Sequence, residues 1–194
     1  MSTAACLIFG TAVLGTDRPC GHVRRVIIDP EARALTHLAV EPTHSHSGGR
    51  LVPIDLVDCV DDEIRLRCNS EEFLSLPVAD VTEIVGPGGV RLPSEEAARV
   101  FHKEIREIVP STEVQARPSD PIYATDGPIG FLHGFAVDLA DGQLTQVFVF
   151  EGLLWGKKLV AVPIGEVTTL DGGIAVKLTR RQVKDLPLVD IRKP

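Results

Sequence analysis

The chain has 194 residues, 44% of them hydrophobic, which suits one or two small domains with a buried core. Twenty lysines and arginines stand against 27 acids, and the net charge of -7 opposes binding through a broad basic face to a phosphate backbone. The acidity is uneven: residues 1–85 carry 7 basic and 13 acidic side chains, residues 86–119 carry 5 and 5, and residues 120–194 carry 8 and 9.

The N-terminal stretch holds the apolar patch Ala4-Ala5-Cys6-Leu7-Ile8-Phe9 without a basic leader. It is far shorter than the ~20 residues a membrane helix needs, so a first strand is expected and no membrane span. With no signal peptide in view, a cytoplasmic protein is expected, its four cysteines Cys6, Cys20, Cys59 and Cys68 reduced and showing no C-x-x-C spacing.

Thr16-Asp17-Arg18-Pro19-Cys20-Gly21 then opens a pattern, T-D-x-P-x-G, seven residues and Asp29, that occurs again from Thr125-Asp126-Gly127-Pro128-Ile129-Gly130 to Asp138. Gly130/Gly21, Asp138/Asp29 and Leu144/Leu35 share an offset of 109 (130 − 21). After one inserted residue, Pro163/Pro53, Asp171/Asp61, Ile174/Ile64, Leu186/Leu76, Pro187/Pro77 and Asp190/Asp80 share 110 (163 − 53). The chain is an internal duplication, with a first repeat over 1–85, a Gly/Pro break and connecting segment over 86–113, and a second repeat over 114–194.

Each repeat consists of short runs rich in Val, Ile, Leu and Phe between Gly, Pro and Asp clusters, the pattern of an antiparallel meander or small barrel. In the first, strands are expected near 12–14, 22–28, 35–41, 51–59 and 63–68; in the second, near 122–124, 131–137, 144–150, 159–168 and 174–178. Asp141-Gly142 and Asp171-Gly172-Gly173 supply the positive-φ residues of tight hairpins, and Pro53 and Pro163 mark where a strand leaves its sheet. Each repeat ends in a short helix with a hydroxyl N-cap, from Ser70 to Leu76 and from Thr179 to Leu186, with Gln182 completing a capping box in the second. Between the repeats, Pro93-Ser94-Glu95-Glu96 followed by Val100, Phe101, Ile105 and Ile108 at helical spacing predicts a connecting helix that Pro110 ends, with its apolar stripe buried between the barrels.

Gly21-His22-Val23 leading to Asp29, then Val52-Pro53-Ile54, and again Gly130-Phe131-Leu132 leading to Asp138, then Val162-Pro163-Ile164, resemble the PRC-barrel domain. That domain is shared by the photosynthetic reaction-centre H subunit and the C-terminal part of a ribosome maturation factor. The resemblance covers about residues 7–80 and 114–190, and Leu153-Leu154-Trp155-Gly156-Lys157-Lys158 is similar to tandem versions in bacterial proteins. It implies an all-β chain of two tandem small antiparallel barrels, each closed by a short helix. It also implies a non-enzymatic binding and assembly module without cofactor. RNA or ribosome association is the alternative it carries.

The residues themselves offer few candidates for chemistry. No Ser-His-Asp order, phosphate-binding glycine loop or G-x-S-x-G occurs, so no catalytic residue is assigned. His37, His44 and His46 lie within ten residues, and His44-x-His46 could present two imidazoles to a metal, but a site needs three or four ligands; the plainer reading is a polar loop. The recurring Asp17/Asp126 and Asp29/Asp138 could act as paired carboxylates, yet turns account for them, the first pair by accepting a backbone N-H two residues on and the second by ending strands. Lys177, Arg180, Arg181 and Lys184, and likewise Arg24-Arg25, read as solvated faces before nucleic-acid footprints. The repeats diverge most between Val149 and Pro163, where Leu153, Leu154 and Trp155, rimmed by Lys157 and Lys158, have the composition of a protein-docking surface, with a second copy of the chain as one partner. The alternative is that Trp155 folds back over its own barrel.

Overall fold

The computed structural model describes residues 4–43, 49–85, 91–92, 102–110, 112–151, 158–171 and 173–189. In chain order the strands are β1 (Ala4–Ile8), β2 (Ala12–Leu14), β3 (Pro19–Asp29), β4 (Ala34–Pro42), β5 (Arg50–Pro53), β6 (Val57–Val60), β7 (Ile64–Leu66), β8 (Asp80–Val85), β9 (Arg91–Leu92) and β10 (His102–Glu107). They continue with β11 (Val114–Ala116), β12 (Pro121–Ala124), β13 (Gly127–Asp138), β14 (Leu144–Glu151), β15 (Lys158–Pro163), β16 (Val167–Thr169) and β17 (Ile174–Val176). The helices are α1 (Ser70–Ser75) and α2 (Arg180–Lys184), and among the described residues no helix is long and apolar enough to cross a membrane.

Two curled sheets carry the duplication. The first runs β5-β4-β3-β2-β7-β6 and the second β15-β14-β13-β12-β17-β16. Pro53 and Pro163, which lack an N-H, end β5 and β15, and a 3-10 turn (Ile54–Leu56, Ile164–Glu166) then leads the chain from one edge of its sheet to the strand at the other. The pairing is not wholly antiparallel as the sequence pattern suggests. β2 with β7, and β12 with β17, are parallel, because the chain has travelled round the curl before it returns.

The curl is set by bulges at equivalent positions in both repeats. Arg24 and His133 are the extra residues where β3 faces β4 and β13 faces β14, and Thr36 and Thr145 are the extra residues on the opposing strands. Thr36 Oγ1 donates to Ile27 O and Thr145 Oγ1 donates to Ala136 O, both at 3.2 Å, so each displaced hydroxyl satisfies a carbonyl the ladder leaves open.

Each sheet borrows its seventh strand from the other repeat. β1 pairs antiparallel with β13, with Ala5 opposite Val137 and Leu7 opposite Phe135. β11 pairs antiparallel with β3, with Val114 opposite Ile28 and Ala116 opposite Val26. These are the same pairings at an offset of 109 (114 − 5, 137 − 28), so the exchange is reciprocal about a pseudo-two-fold axis. The two crossovers are held alike: Gly10 N and Ser119 N donate to Val23 O and Leu132 O (2.8 and 3.2 Å), and Val23 N and Leu132 N donate to Thr11 O and Asp120 O (3.0 and 2.9 Å). On the same axis the hairpin tips meet, Leu35 N donating to Gly142 O (2.8 Å) and Leu144 N to Arg33 O (3.0 Å). Gly142 has the positive φ (74°) expected of Asp141-Gly142, and a Cβ there would lie 2.6 Å from Leu35 O.

One core results. Val26, Ile28, Leu38 and Phe73 of the first repeat and Phe135, Val147, Ile174 and Val183 of the second belong to one continuous cluster together with the exchanged Ala5, Leu7 and Ala116. Each such large side chain contributes roughly 1.5–3 kcal/mol by burial. α1 and α2 enter it through Phe73 and Val183.

The connecting segment departs from the helix that its spacing predicts. His102–Glu107, including Ile105, is strand β10, paired antiparallel with β8, which also pairs with β9 to make a small third sheet. A helix of that length is marginal alone, whereas β8 offers a full ladder for its backbone groups. Val100 and Phe101 lie outside the described residues, Ile108 is half-buried and donates its N-H to Ala79 O (2.8 Å), and Val109 packs on the outer cluster Ile27, Ala39, Leu51 and Ala79.

Gly134 lies directly under β1: a Cβ there would stand 2.2 Å from Leu7 O and 3.1 Å from Ile8 Cα, both backbone atoms that cannot swing aside. Gly134→Ala is expected to lower stability by roughly 1–3 kcal/mol, as overpacking does. Amide exchange should locate the damage at Ala5 and Leu7, and unaltered protection of those amides would show that β1 does not press on Gly134.

Candidate functional site

Where the two crossovers pass, the molecule has a cleft of ≈ 590 Å³, lined by Phe9, His22, Arg24, Arg25, Glu41, Glu107 and Arg117 among others. β3 supplies His22 to Arg25, β4 supplies Glu41, β10 in the connecting segment supplies Glu107, and the start of the second repeat, just after β11, supplies Arg117. Arg24, the bulge residue, projects outward and donates to Glu41 Oε2 at 2.6 Å in an exposed ion pair. Such a pair contributes little to stability.

Arg25 behaves differently from the solvated face expected of Arg24-Arg25. It is 2% exposed, with Nη1 donating to Asp80 Oδ1 (2.7 Å), Nη2 donating to Ala79 O (2.6 Å) and Glu107 Oε1 at 3.7 Å. Asp80 and Glu107 are paired residues at the base of the third sheet, on β8 and β10. The guanidinium is therefore the latch that fastens that sheet to the first curled sheet, and burial is tolerated because the charge is paired and hydrogen-bonded. Glu107 is shared further: its Oε2 accepts from Gln115 Nε2 (2.9 Å) and from Arg117 Nη2. The cleft floor is thus a neutralised network, with each of its three arginines already holding a carboxylate.

The second repeat builds the same wall from Phe131, His133, Gly134 and Phe150, the equivalents of His22, Arg24, Arg25 and Glu41 at an offset of 109 (131 − 22). Phe131 stands opposite Phe150 in the ladder, His133 stacks on Phe150 with ring centroids 4.1 Å apart, and burial holds the His133 imidazole below its usual pKa. Phe131 remains 41% exposed, and Tyr123 on β12 is 45% exposed. Duplicated surfaces have become charged in one repeat and aromatic in the other.

Compared with known proteins, the chain matches no family model and no curated protein.

The structure brings few of the sequence candidates together. Leu153, Leu154, Trp155 and Lys157 lie outside the described residues, as do His44 and His46; Lys158 opens β15 opposite Glu151 and is exposed. His37 Nδ1 is 3.0 Å from Thr36 Oγ1 and 3.9 Å from Glu113 Oε2. Asp29 and Asp138 end β3 and β13 as expected, and they also hold the turns that follow, Asp29 Oδ1 accepting from Glu31 N and Ala32 N and Asp138 Oδ1 from Ala140 N. Asp17 and Asp126 do something other than hold their own turn. Asp17 takes Ser70 N (2.8 Å) and Ser70 Oγ (2.7 Å), and Asp126 takes Arg180 N (2.7 Å), so each reaches across to the first turn of its closing helix. Ser70 is consequently not the N-cap of α1; Asn69 is, in a capping box with Glu72, whereas Thr179 and Gln182 cap α2 as expected. Proline two residues after Asp17 and Asp126 has no N-H to offer, which is why the carboxylates look elsewhere. Arg25 and Asp80 escaped attention because a lone arginine on a strand carries no sign of burial, although Asp80 recurs in the repeat.

Asp80→Ala, which strands the Arg25 charge, is expected to cost about 3–5 kcal/mol, and Asp80→Ala with Arg25→Met to cost less than the single change, because breaking a buried pair is worse than replacing it. Denaturant midpoints for the two variants give the order. A double variant no more stable than Asp80→Ala would show that the latch is not a buried ion pair.

The hydrogen bonds from Ser70, side chain first and backbone second, hold the Asp17 carboxyl below its usual pKa. A depressed carboxylate contributes stability that is present above the unfolded value near 3.9 and is lost as pH falls through the lower folded value. Ser70→Ala should therefore raise the Asp17 pKa in a carbon-detected NMR titration and reduce stability at neutral pH more than at pH about 2. An unmoved titration would place Asp17 elsewhere.

Proposed function

We propose that the chain is a tandem of two closed PRC-barrel-like units acting as a protein-interaction or assembly module, without catalysis or cofactor. The single observation that carries this reading is the aromatic exterior of the second sheet, where Tyr123 and Phe131 are 45% and 41% exposed. The equivalent residues of the first repeat are Leu14 and His22, so the same framework has been given a different surface in each copy. Pro121 stands opposite Phe131 and Pro128 opposite Tyr123 in the ladder, which makes the patch rigid as well as apolar. Rigid, exposed aromatic groups on a framework that needs none of them for its core are the composition of a docking surface. The sequence between β14 and β15 adds Leu153, Leu154 and Trp155, with Lys157 and Lys158 as a polar rim.

Affinity purification from the source cell with wild type and Phe131→Ser, each with and without nuclease, tests this. Protein partners should survive nuclease and fall at least about tenfold with Phe131→Ser, the scale of a hot-spot residue. Melting temperatures of the two forms should agree closely, since Phe131 is not a core residue. Capture that disappears with nuclease and ignores Phe131→Ser would overturn the reading in favour of RNA association.

A further inference from the structure

The closing helices α1 and α2 occupy equivalent places, but their charges are opposite. Asp17 bound to Ser70 sets α1 beside the start of β3, while the far end of β3 turns at the hairpin that touches the other repeat; Asp126 and Arg180 do the same for α2 and β13. The helices therefore stand at the ends of β3 and β13 remote from the hairpin contact, one pole in each repeat.

At the α1 pole Arg18 stands with Asp17, Glu71 and Glu72, one basic group against three acidic, or −2. At the α2 pole Arg180, Arg181 and Lys184 stand with Asp126 and Asp185, three against two, or +1. The difference arises residue by residue: Ser70, Glu71 and Leu74 correspond to Arg180, Arg181 and Lys184 at an offset of 110 (181 − 71). Apolar groups accompany both. Leu74 is 44% exposed on α1, at the rim of a hollow of ≈ 220 Å³ lined by Pro19, Pro42 and Phe73. On the other pole the Arg180 side chain lies over Gly127, where a Cβ would be 3.7 Å from its Cδ, and the neighbouring ladder pair is Pro128 with exposed Tyr123.

We infer that the acidic α1 pole of one chain docks on the basic, tyrosine-bearing α2 pole of a second copy, giving head-to-tail assemblies. The two poles differ, so the contact is heterologous and each added chain presents a fresh α1 or α2 pole to the next. The charges steer and register the approach, and Leu74 against Tyr123 supplies the apolar contact. This deepens the interaction-module reading and rests on it, naming a second copy as partner.

The test is sedimentation of the full chain over a range of concentrations at low and high salt. Wild type at low salt should grow from one chain past two as concentration rises, and raising salt to about 0.5 M, where screening is nearly complete, should weaken association at least about tenfold. Arg180→Glu with Arg181→Glu disables one pole, and Glu71→Arg with Leu74→Asn disables the other; each variant alone should remain a monomer. An equimolar mixture of the two has one intact α1 pole and one intact α2 pole, and should form a one-to-one dimer that grows no further, which also shows that both variants are folded. Wild type that stays monomeric, a variant that still assembles alone, or a mixture that fails to pair overturns the inference. If the wild type is monomeric and Phe131-dependent capture of a foreign protein persists, self-assembly falls while the interaction-module reading stands.

Discussion

The reciprocal loan of β1 and β11 governs the rest of the architecture, because the edge of β13 beyond Gly134 and the edge of β3 beyond Arg25 have backbone groups that only the other repeat satisfies. A buried strand edge without a partner would cost about as much as its lost hydrogen bonds, so the halves are held to one another by the same ladder that holds each together. The continuous core follows from this. So does the position of Gly134, where one strand crosses another at backbone distance, and so does the cleft, which forms where the two crossovers pass.

Symmetry of this kind constrains backbones more than surfaces. Bulges, crossovers, 3-10 turns and carboxylate-to-helix bonds recur at fixed offsets, because each closes a hydrogen-bond account that either repeat must settle in the same way. Side chains outside those accounts have drifted apart. Arg25, free of an overlying strand, has become the anchor of the third sheet, whereas Gly134 cannot bear a side chain at all. The His22–Glu41 wall is charged and its counterpart Phe131–Phe150 aromatic, and the helices at the poles have opposite sign.

Most of the strand framework was legible in the sequence, since Val- and Ile-rich runs between Gly, Pro and Asp leave little else to form, and the offset of 109 extends one repeat's reading to the other. The strand character of Ala4–Ile8 was equally plain; its destination was not, because nothing in a strand's pattern names the sheet it will join. His102–Glu107 was misread for a related reason, as its apolar spacing suits a helix when the pairing partner β8 is left out of account. The site was the least visible part. Burial of Arg25 and the reach of Asp17 to Ser70 depend on contacts 55 and 53 residues apart in sequence, and no local window contains both ends.

The exchanged strands also fix an order of events during synthesis. β1 leaves the ribosome ahead of its partner residues Gly134 to Asp138, which follow more than 120 residues later, a wait of roughly 6–25 s at ~5–20 residues per second. Until Val114–Ala116 have followed, the nascent first repeat lacks β11 as well, and its open edge on β3 is a template for any extended chain nearby. Two nascent copies held close together could answer that edge with each other's strands, so the same geometry that closes the monomer offers a route to an intertwined dimer in which β1 and β11 are traded between chains instead of within one.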